Sequence, residues 1–100
     1  MSRQPIERAE DIVIAAASMK AIAHPLRLKI LCVLSAGALS VQDIVEQVGT
    51  TQSNISQHLG ILRAKGILIA QKEANHVYYR IGDARILKMV GLMRDVFCSA

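Results

Sequence analysis

The chain has 100 residues, of which 12 are lysine or arginine, 8 are aspartate or glutamate and 2 are cysteine. That length holds one domain with a modest core, so we expect a single domain over residues 1–100. The first ten residues are polar and charged, and the apolar run 12–17 is far too short to span a bilayer, which favours a cytoplasmic protein without a membrane partner.

The first two predicted helices are rich in aliphatic side chains. The first covers Ile6 to Ile22, and the second begins beside Pro25. The main apolar arc of the second helix consists of Leu26, Ile30, Val33 and Leu34. Cys32 lies nearly opposite this arc, beside Leu28. We therefore expect the second helix to be covered on both sides, with a terminal helix as the natural second cover.

The next segment, Leu39 to Gly49, is predicted to be a short amphipathic helix. Ser40 and Asp43 have the spacing of a capping box. The glycine is followed by Thr50 and Thr51, and either threonine can cap a further helix. Two short helices joined in this way form a helix-turn-helix.

The helix that follows has two faces with different chemistry. Ile55, Leu59 and Leu62 share one narrow arc, and Gly66 stands where a C-cap glycine belongs. The opposite arc contains Gln52, Ser53, Ser56, Gln57, Gly60 and Arg63. Hydroxyls, amides and a cation can bind base edges or phosphates, and no carboxylate on this face would repel DNA. The pattern therefore predicts a recognition helix.

Two β-prone segments come next and predict a hairpin. They are Ile67–Lys72 and Val77–Ile81, with Glu73–His76 as the turn. From position 51 to 81 four cations face one acid, so this region carries +3 of the formal +4; its charged residues are Arg63, Lys65, Lys72, Glu73 and Arg80. A hairpin after a recognition helix is a wing, and its charge favours phosphate over an ordinary solvated surface.

The last predicted helix, Asp83–Phe97, completes a mainly α fold with a small β-hairpin, ordered α-α-α-α-β-β-α. Its apolar stripe consists of Ile86, Val90, Met93 and Phe97, with Met89 beside it. Two apolar terminal helices exceed what a small monomer could easily cover, and palindromic DNA sites favour two-fold dimers. We expect a homodimer through these helices that binds an inverted repeat in double-stranded DNA. A purely monomeric core is the alternative.

Four blocks of this chain, in the same order, resemble the ArsR/SmtB family of winged-helix repressors. They are Ala21–Leu31, Leu39–Ile44, Ser53–Leu59 and Val77–Ile81, within a resemblance that spans Ser18 to Cys98. The resemblance implies a dimer that leaves its operator when an inducer binds. It implies that the major groove is contacted by Gln52, Ser53, Ser56 and Gln57, and that the wing contacts DNA through Lys72, Asn75, His76 and Arg80.

The sequence departs from the metal-sensing members of that family. One familiar site needs two cysteines around a valine, where this chain has Ser40-Val41-Gln42. The other needs a histidine two residues after Asp83, where this chain has Arg85, so Asp83 is predicted to be a helix N-cap. The three histidines also lack the spacing of a metal site. We expect neither metal nor cofactor.

The two cysteines allow two interpretations. Cytosolic cysteines are usually small buried hydrophobes, which would leave another inducer or a metal as the signal. The segments ending at Cys32 and at Cys98, however, resemble the thiol-sensing HlyU/BigR/SqrR branch of the family. That resemblance implies that reactive sulfur or an oxidant links Cys32 to Cys98 and releases DNA. Disulfide and polysulfide links both remain open.

Other classes of function are less well supported. The chain has no Gly-rich phosphate loop, nucleophile elbow or evident carboxylate pair, so we expect no enzyme. A winged helix can also serve as an interaction module that never binds DNA. A DNA-bound regulator, in turn, can act by repression or by displacing another protein.

Overall fold

The computed structural model describes residues 8–98, which form five helices and three strands. The helices are α1 (Ala9–Ile22), α2 (Pro25–Leu34), α3 (Val41–Val48), α4 (Gln52–Ala64) and α5 (Ala84–Phe97). The strands are β1 (Leu39–Ser40), β2 (Leu68–Glu73) and β3 (His76–Ile81). The predicted winged helix-turn-helix is confirmed, with one strand more than the sequence indicated.

Local side chains determine where α3 and α4 begin and end. The Ser40 hydroxyl accepts a hydrogen bond from the Asp43 N–H, and the Thr51 hydroxyl accepts one from the Asn54 N–H, both at 3.1 Å. Gly49 ends α3 with φ +84°, a left-handed conformation that suits glycine. Such a cap contributes about 1 kcal/mol to stability. Thr51, of the two candidate threonines, is therefore the cap of α4.

The core lies where α2, α3 and α4 meet the sheet and α5. Its fully buried side chains are Ile30, Leu31, Leu34, Ile44, Ile55, Leu59, Leu62, Ile67 and Val90. The predicted burial of Ile55, Leu59 and Leu62 is confirmed. Because each such side chain contributes about 1.5–3 kcal/mol when buried, this arc fixes α4 firmly against the body of the domain.

The three antiparallel strands lie in the order β1-β3-β2. Leu39 pairs with Tyr79 in β1, so the prediction that Leu39 belongs to a helix is wrong. An N-cap residue has an extended backbone, which places Ser40 and the residue before it outside α3. In the hairpin, Glu73 pairs with His76, so both strands extend one residue into the predicted turn.

The terminal helices leave apolar side chains exposed. The predicted first helix began at Ile6, which lies outside the described residues, and α1 runs from Ala9. The predicted α5 stripe divides, since Val90 is buried and Phe97 is 79% exposed. The exposed large apolar residues of the two helices are Ile12, Val13, Ile14, Met19, Leu87, Met89, Leu92, Val96 and Phe97. Within residues 8–98, no helix has both the length and the apolar character to cross a membrane.

Candidate nucleic-acid interface and cysteine site

The polar face of α4 is open to solvent along its first two turns. Gln52, Ser53, Ser56 and Gln57 are all exposed, while Ile55 and Leu59 on the other side are buried. None of the four polar side chains donates or accepts a hydrogen bond to another described side chain that would hold it away from solvent. The face therefore offers donors and acceptors to an external ligand.

The start of α4 lies close to the tip of the wing. Gln52, Asn75 and His76 line one open groove of about 550 Å³. The remaining walls of this groove come from Ser40, Val41, Gln42, Val45, Glu46 and Val77. The fold thus brings together predicted contact residues from the recognition helix and from the wing. Gln42 and Glu46 of α3 were missed, although their i, i+4 spacing already placed them on one exposed face.

The predicted cationic contacts are all exposed but lie at separate places on the surface; they are Arg63, Lys72 and Arg80. Lys72 lies on β2, and Arg80 lies on β3 opposite Ile69. Arg63 is in the last turn of α4, eleven residues after Gln52 and therefore about 16 Å further along the helix axis. The structure does not bring Arg63 together with the groove between α4 and the wing.

Two histidines and an arginine join α4 to the first two helices. The rings of His24 and His58 lie with their centroids 4.6 Å apart and their planes at 36°. Arg27 Nη1 is 3.2 Å from His58 Nδ1, and Arg27 Nε donates to the Ala21 carbonyl. Burial lowers the pKa of His58, and the charges of His24 and Arg27 lower it further. A neutral His58 can accept the hydrogen bond from Arg27.

The residues at the start of α5, where metal-sensing members of the family have ligands, form a helix cap and an ion pair here. Asp83 accepts a 2.8 Å hydrogen bond from the Arg85 N–H and forms an ion pair with the Arg85 guanidinium, also at 2.8 Å. The hydrogen bonds from Arg85 lower the pKa of Asp83 to about 2. Within residues 8–98, no three histidine, cysteine, aspartate or glutamate residues cluster as metal ligands would.

The two cysteines lie near the ends of α2 and α5, and both are free thiols. Cys32 is half-buried against the core, whereas Cys98 is exposed at the C-terminal end of α5. Burial raises the pKa of the Cys32 thiol; the charge of Arg94 lowers it, and Cys98 raises it. We call the space between these two helix ends the cysteine cleft. On the α5 side, Gly91, Arg94, Asp95 and Cys98 line an open surface pocket of about 250 Å³.

A chain of hydrogen bonds joins the two sides of the cysteine cleft. Arg94 Nη1 donates to Ser35 Oγ at 3.1 Å, and Ser35 Oγ donates to the Cys32 carbonyl at 2.6 Å. These contacts agree with the expectation that a terminal helix covers the second side of α2. Because Arg94 and Ser35 are 59 positions apart, the sequence analysis could not predict the contact between them.

Comparisons with known proteins give a consistent result. Residues 24–70 match the family model described as bacterial regulatory protein, arsR family. The chain is 32% identical to the biofilm growth-associated repressor of Xylella fastidiosa over 99 residues, which are 99% of this chain and 85% of the relative. Its structure is similar to that of reduced HlyU from Vibrio cholerae N16961, with a TM-score of 0.86 and 33% identity over 93% of this chain and 98% of that one.

A further similar structure is the homodimeric winged helix-turn-helix DNA-binding domain of Mb0332 from Mycobacterium bovis. The TM-score is 0.82 and the identity 29%, with 96% of this chain and 89% of that chain covered.

Proposed function

The chain belongs to the ArsR family of bacterial regulatory proteins, and from this premise we propose that it is a repressor that binds an inverted-repeat operator as a homodimer. The observation that carries the proposal is the exposed polar face of α4, which meets the wing at the groove lined by Gln52, Asn75 and His76. A helix of this kind fits the major groove, and a wing beside it contacts the flanking backbone.

The assembly has support from the apolar faces of the terminal helices. Val13, Leu92 and Val96 are each more than 60% exposed. Large exposed apolar patches mark interaction sites, and a similar domain is described as homodimeric. A two-fold dimer would place two copies of α4 in successive major grooves, with half-sites about one helical turn apart.

Binding of the purified protein to its own promoter DNA tests this proposal. We expect fluorescence anisotropy to give one saturable transition with operator DNA, at two protomers per site, and without any added cofactor. Random DNA of equal length should bind far more weakly. Failure to prefer any promoter fragment would favour the interaction module that never binds DNA.

The inducer in this proposal acts on the cysteines. A hydropersulfide RSSH transfers its outer sulfur to a cysteine thiolate, giving Cys–SSH and releasing RS⁻. The second cysteine thiolate then attacks the inner sulfur of Cys–SSH, forms a disulfide and releases HS⁻. Hydrogen peroxide would give the same disulfide and two waters. A bridge with extra sulfur atoms is the variant that spans a longer gap, since a disulfide needs Cα atoms within about 7 Å.

Support for the switch comes from the position of the two cysteines, which belong to two helices with different roles: Cys32 lies in α2, and Cys98 caps the end of α5. α2 packs on α3 and α4, whereas α5 carries much of the exposed apolar surface. A bond between Cys32 and Cys98 would fix the C-terminal end of α5 against α2, on which α5 already packs, and would change the angle between the recognition helices of a dimer. Intact-mass measurement after persulfide or peroxide treatment tests it, because a disulfide loses two hydrogens and a polysulfide gains sulfur. Unchanged mass would favour inert cysteines and a different inducer.

A further inference from the structure

Arg94 is a residue of the cysteine cleft that neither the DNA interface nor the cysteine pair explains. Its guanidinium donates to Ser35 Oγ at 3.1 Å, and Ser35 in turn donates to the Cys32 carbonyl. Arg94 is therefore held at the end of α2 although it belongs to α5. This hydrogen bond orders the side chain of Arg94 across the two helices.

Arg94 also lies beside the second cysteine. Cys98 follows it by four residues, so both lie on one side of α5, and both line the 250 Å³ cavity. At 100° per residue, Leu92 and Val96 lie about 160° around the helix from Arg94. The guanidinium thus faces the cleft and points away from Leu92 and Val96, whereas the exposed Phe97 lies about 60° from Arg94.

The charges around Cys32 are few. Arg94 and Cys98 on α5 are the groups in residues 8–98 whose charge acts on the thiol. Asp95 lines the same cavity. On α2 itself, Lys29 donates to the Val48 carbonyl at 3.0 Å and Arg27 is engaged by Ala21 and His58, so both cations are directed elsewhere. Burial raises the pKa of Cys32 and so disfavours its thiolate, which is the reactive form.

We propose that Arg94 is a positioning residue for the thiol chemistry: anchored on Ser35, its guanidinium stabilises the Cys32 thiolate that closes the bond to Cys98. This inference rests on the proposed function, in which the two cysteines become linked. The exposed Cys98 meets RSSH first and becomes Cys98–SSH, with release of RS⁻. The Cys32 thiolate attacks the inner sulfur of Cys98–SSH, the sulfur–sulfur bond breaks, and HS⁻ leaves with the electron pair.

The test measures the reactivity of Cys32 alone, in a Cys98→Ser background. The rate of alkylation by iodoacetamide is followed against pH for the parent, Arg94→Gln, Arg94→Lys and Lys88→Gln. Lys88 is an exposed cation on the same helix and serves as the matched control. In Arg94→Gln we expect a rate at pH 7 that is about three- to tenfold lower and a profile displaced to higher pH. Arg94→Lys should retain most of the rate, and Lys88→Gln all of it.

Two results would overturn the role of Arg94. One is an Arg94→Gln profile identical to the parent. The other is an equal loss in Arg94→Gln and Arg94→Lys, since that would assign the effect to packing rather than to charge. Circular dichroism and thermal melts establish that each variant is folded.

A separate measurement, release from DNA under persulfide treatment, tests the proposed cysteine switch itself. If the Cys32→Ser, Cys98→Ser protein still leaves DNA under persulfide treatment, the proposed release mechanism is wrong, whatever the alkylation profiles show. If release needs both cysteines but Arg94→Gln bridges at the parental rate, the switch stands and the role of Arg94 is wrong.

Discussion

The helices of the helix-turn-helix are capped by side chains close in sequence to the backbone that they fix, whereas the cysteine cleft is held by contacts between residues far apart. The Thr51 hydroxyl caps α4 by accepting a hydrogen bond from the Asn54 N–H. Ile55 and Leu59, in the next two turns, are buried on one side of the same helix. In the cleft, Arg94 reaches Ser35 across 59 positions. A locally determined unit keeps its shape when the rest of the domain moves. A cleft closed by a solvent-exposed hydrogen bond can change at low free-energy cost, which suits a switch.

The largest expected effect tests how much the buried side of the recognition helix contributes to the stability of the domain. Leu59→Ala removes a side chain that is 1% exposed, and we expect the free energy of unfolding to fall by about 2–5 kcal/mol. Urea denaturation measures this fall. Gln57→Ala on the exposed face of the same helix is the control and should change stability by less than about 0.5 kcal/mol. Equal effects of the two substitutions would contradict the burial pattern on which the comparison depends.

The next effect tests the chemistry of the exposed face. Gln52→Ala or Gln57→Ala should weaken operator binding by about 1–3 kcal/mol and relax the base preference, because amide side chains read base edges. Anisotropy titrations on operator and on random DNA measure both quantities. Gln47→Ala, an exposed glutamine on α3, is the matched control. Equal losses on both DNAs would exclude Gln52 and Gln57 from base reading.

The effect of a covalent bond between Cys32 and Cys98 tests the second region of the comparison, the cysteine cleft. Reduced protein should bind the operator tightly, and protein bridged between Cys32 and Cys98 should bind at least tenfold more weakly, which corresponds to about 1.4 kcal/mol. Cys32→Ser and Cys98→Ser should each stay bound under persulfide or peroxide treatment. Gel-shift titrations of untreated and treated protein measure the difference. Bridged protein with unchanged affinity would show that the cleft is not coupled to α4.

The same contrast explains which parts of the fold could be predicted from the sequence. Thr51, Gly49 and the arc of Ile55 and Leu59 carry local signals, since caps and helical periodicity act within a few residues. Strand β1 has no such signal, because two residues form a strand only when Tyr79 and Tyr78 pair with them.

The candidate site follows the same rule. The exposed face of α4 was predictable from α4 alone, but its meeting with Asn75 and His76 depends on where the hairpin folds back. The contacts of His58 with His24 and of Arg94 with Ser35 join residues in different elements. Only the packed structure brings them together. The sequence suggested Cys32 and Cys98 as a pair through the position of Cys32 opposite the apolar arc of α2, through Cys98 at the end of a terminal helix, and through the family resemblance.

A smaller effect separates backbone contacts from base contacts within the DNA interface. Arg80→Ala should weaken binding to all sequences alike, and the slope of log K against log salt should decrease in magnitude by about 0.9, because one phosphate contact is lost. Titrations between about 50 and 200 mM salt give the slope. Lys88→Ala removes one positive charge from α5, outside the hairpin, and should leave the slope unchanged. A loss confined to the operator would assign Arg80 to base reading instead.

The smallest effect concerns a polar contact of the recognition helix with distant residues, that of His58 with His24 and Arg27. Burial and the two neighbouring groups hold the pKa of His58 below its usual value of 6.5. As the pH falls, the unfolded chain therefore takes up the proton first, so the stability contributed by neutral His58 is present above about pH 6.5 and is lost as the pH falls through the lower folded value. Urea unfolding at several pH values should show this loss in the parent and a flatter profile in His58→Gln. Gln57→Ala, on the exposed face of the same helix, should keep the parental profile. A parental profile in His58→Gln would mean that this contact does not titrate, and that α4 is fixed by its caps and buried arc alone.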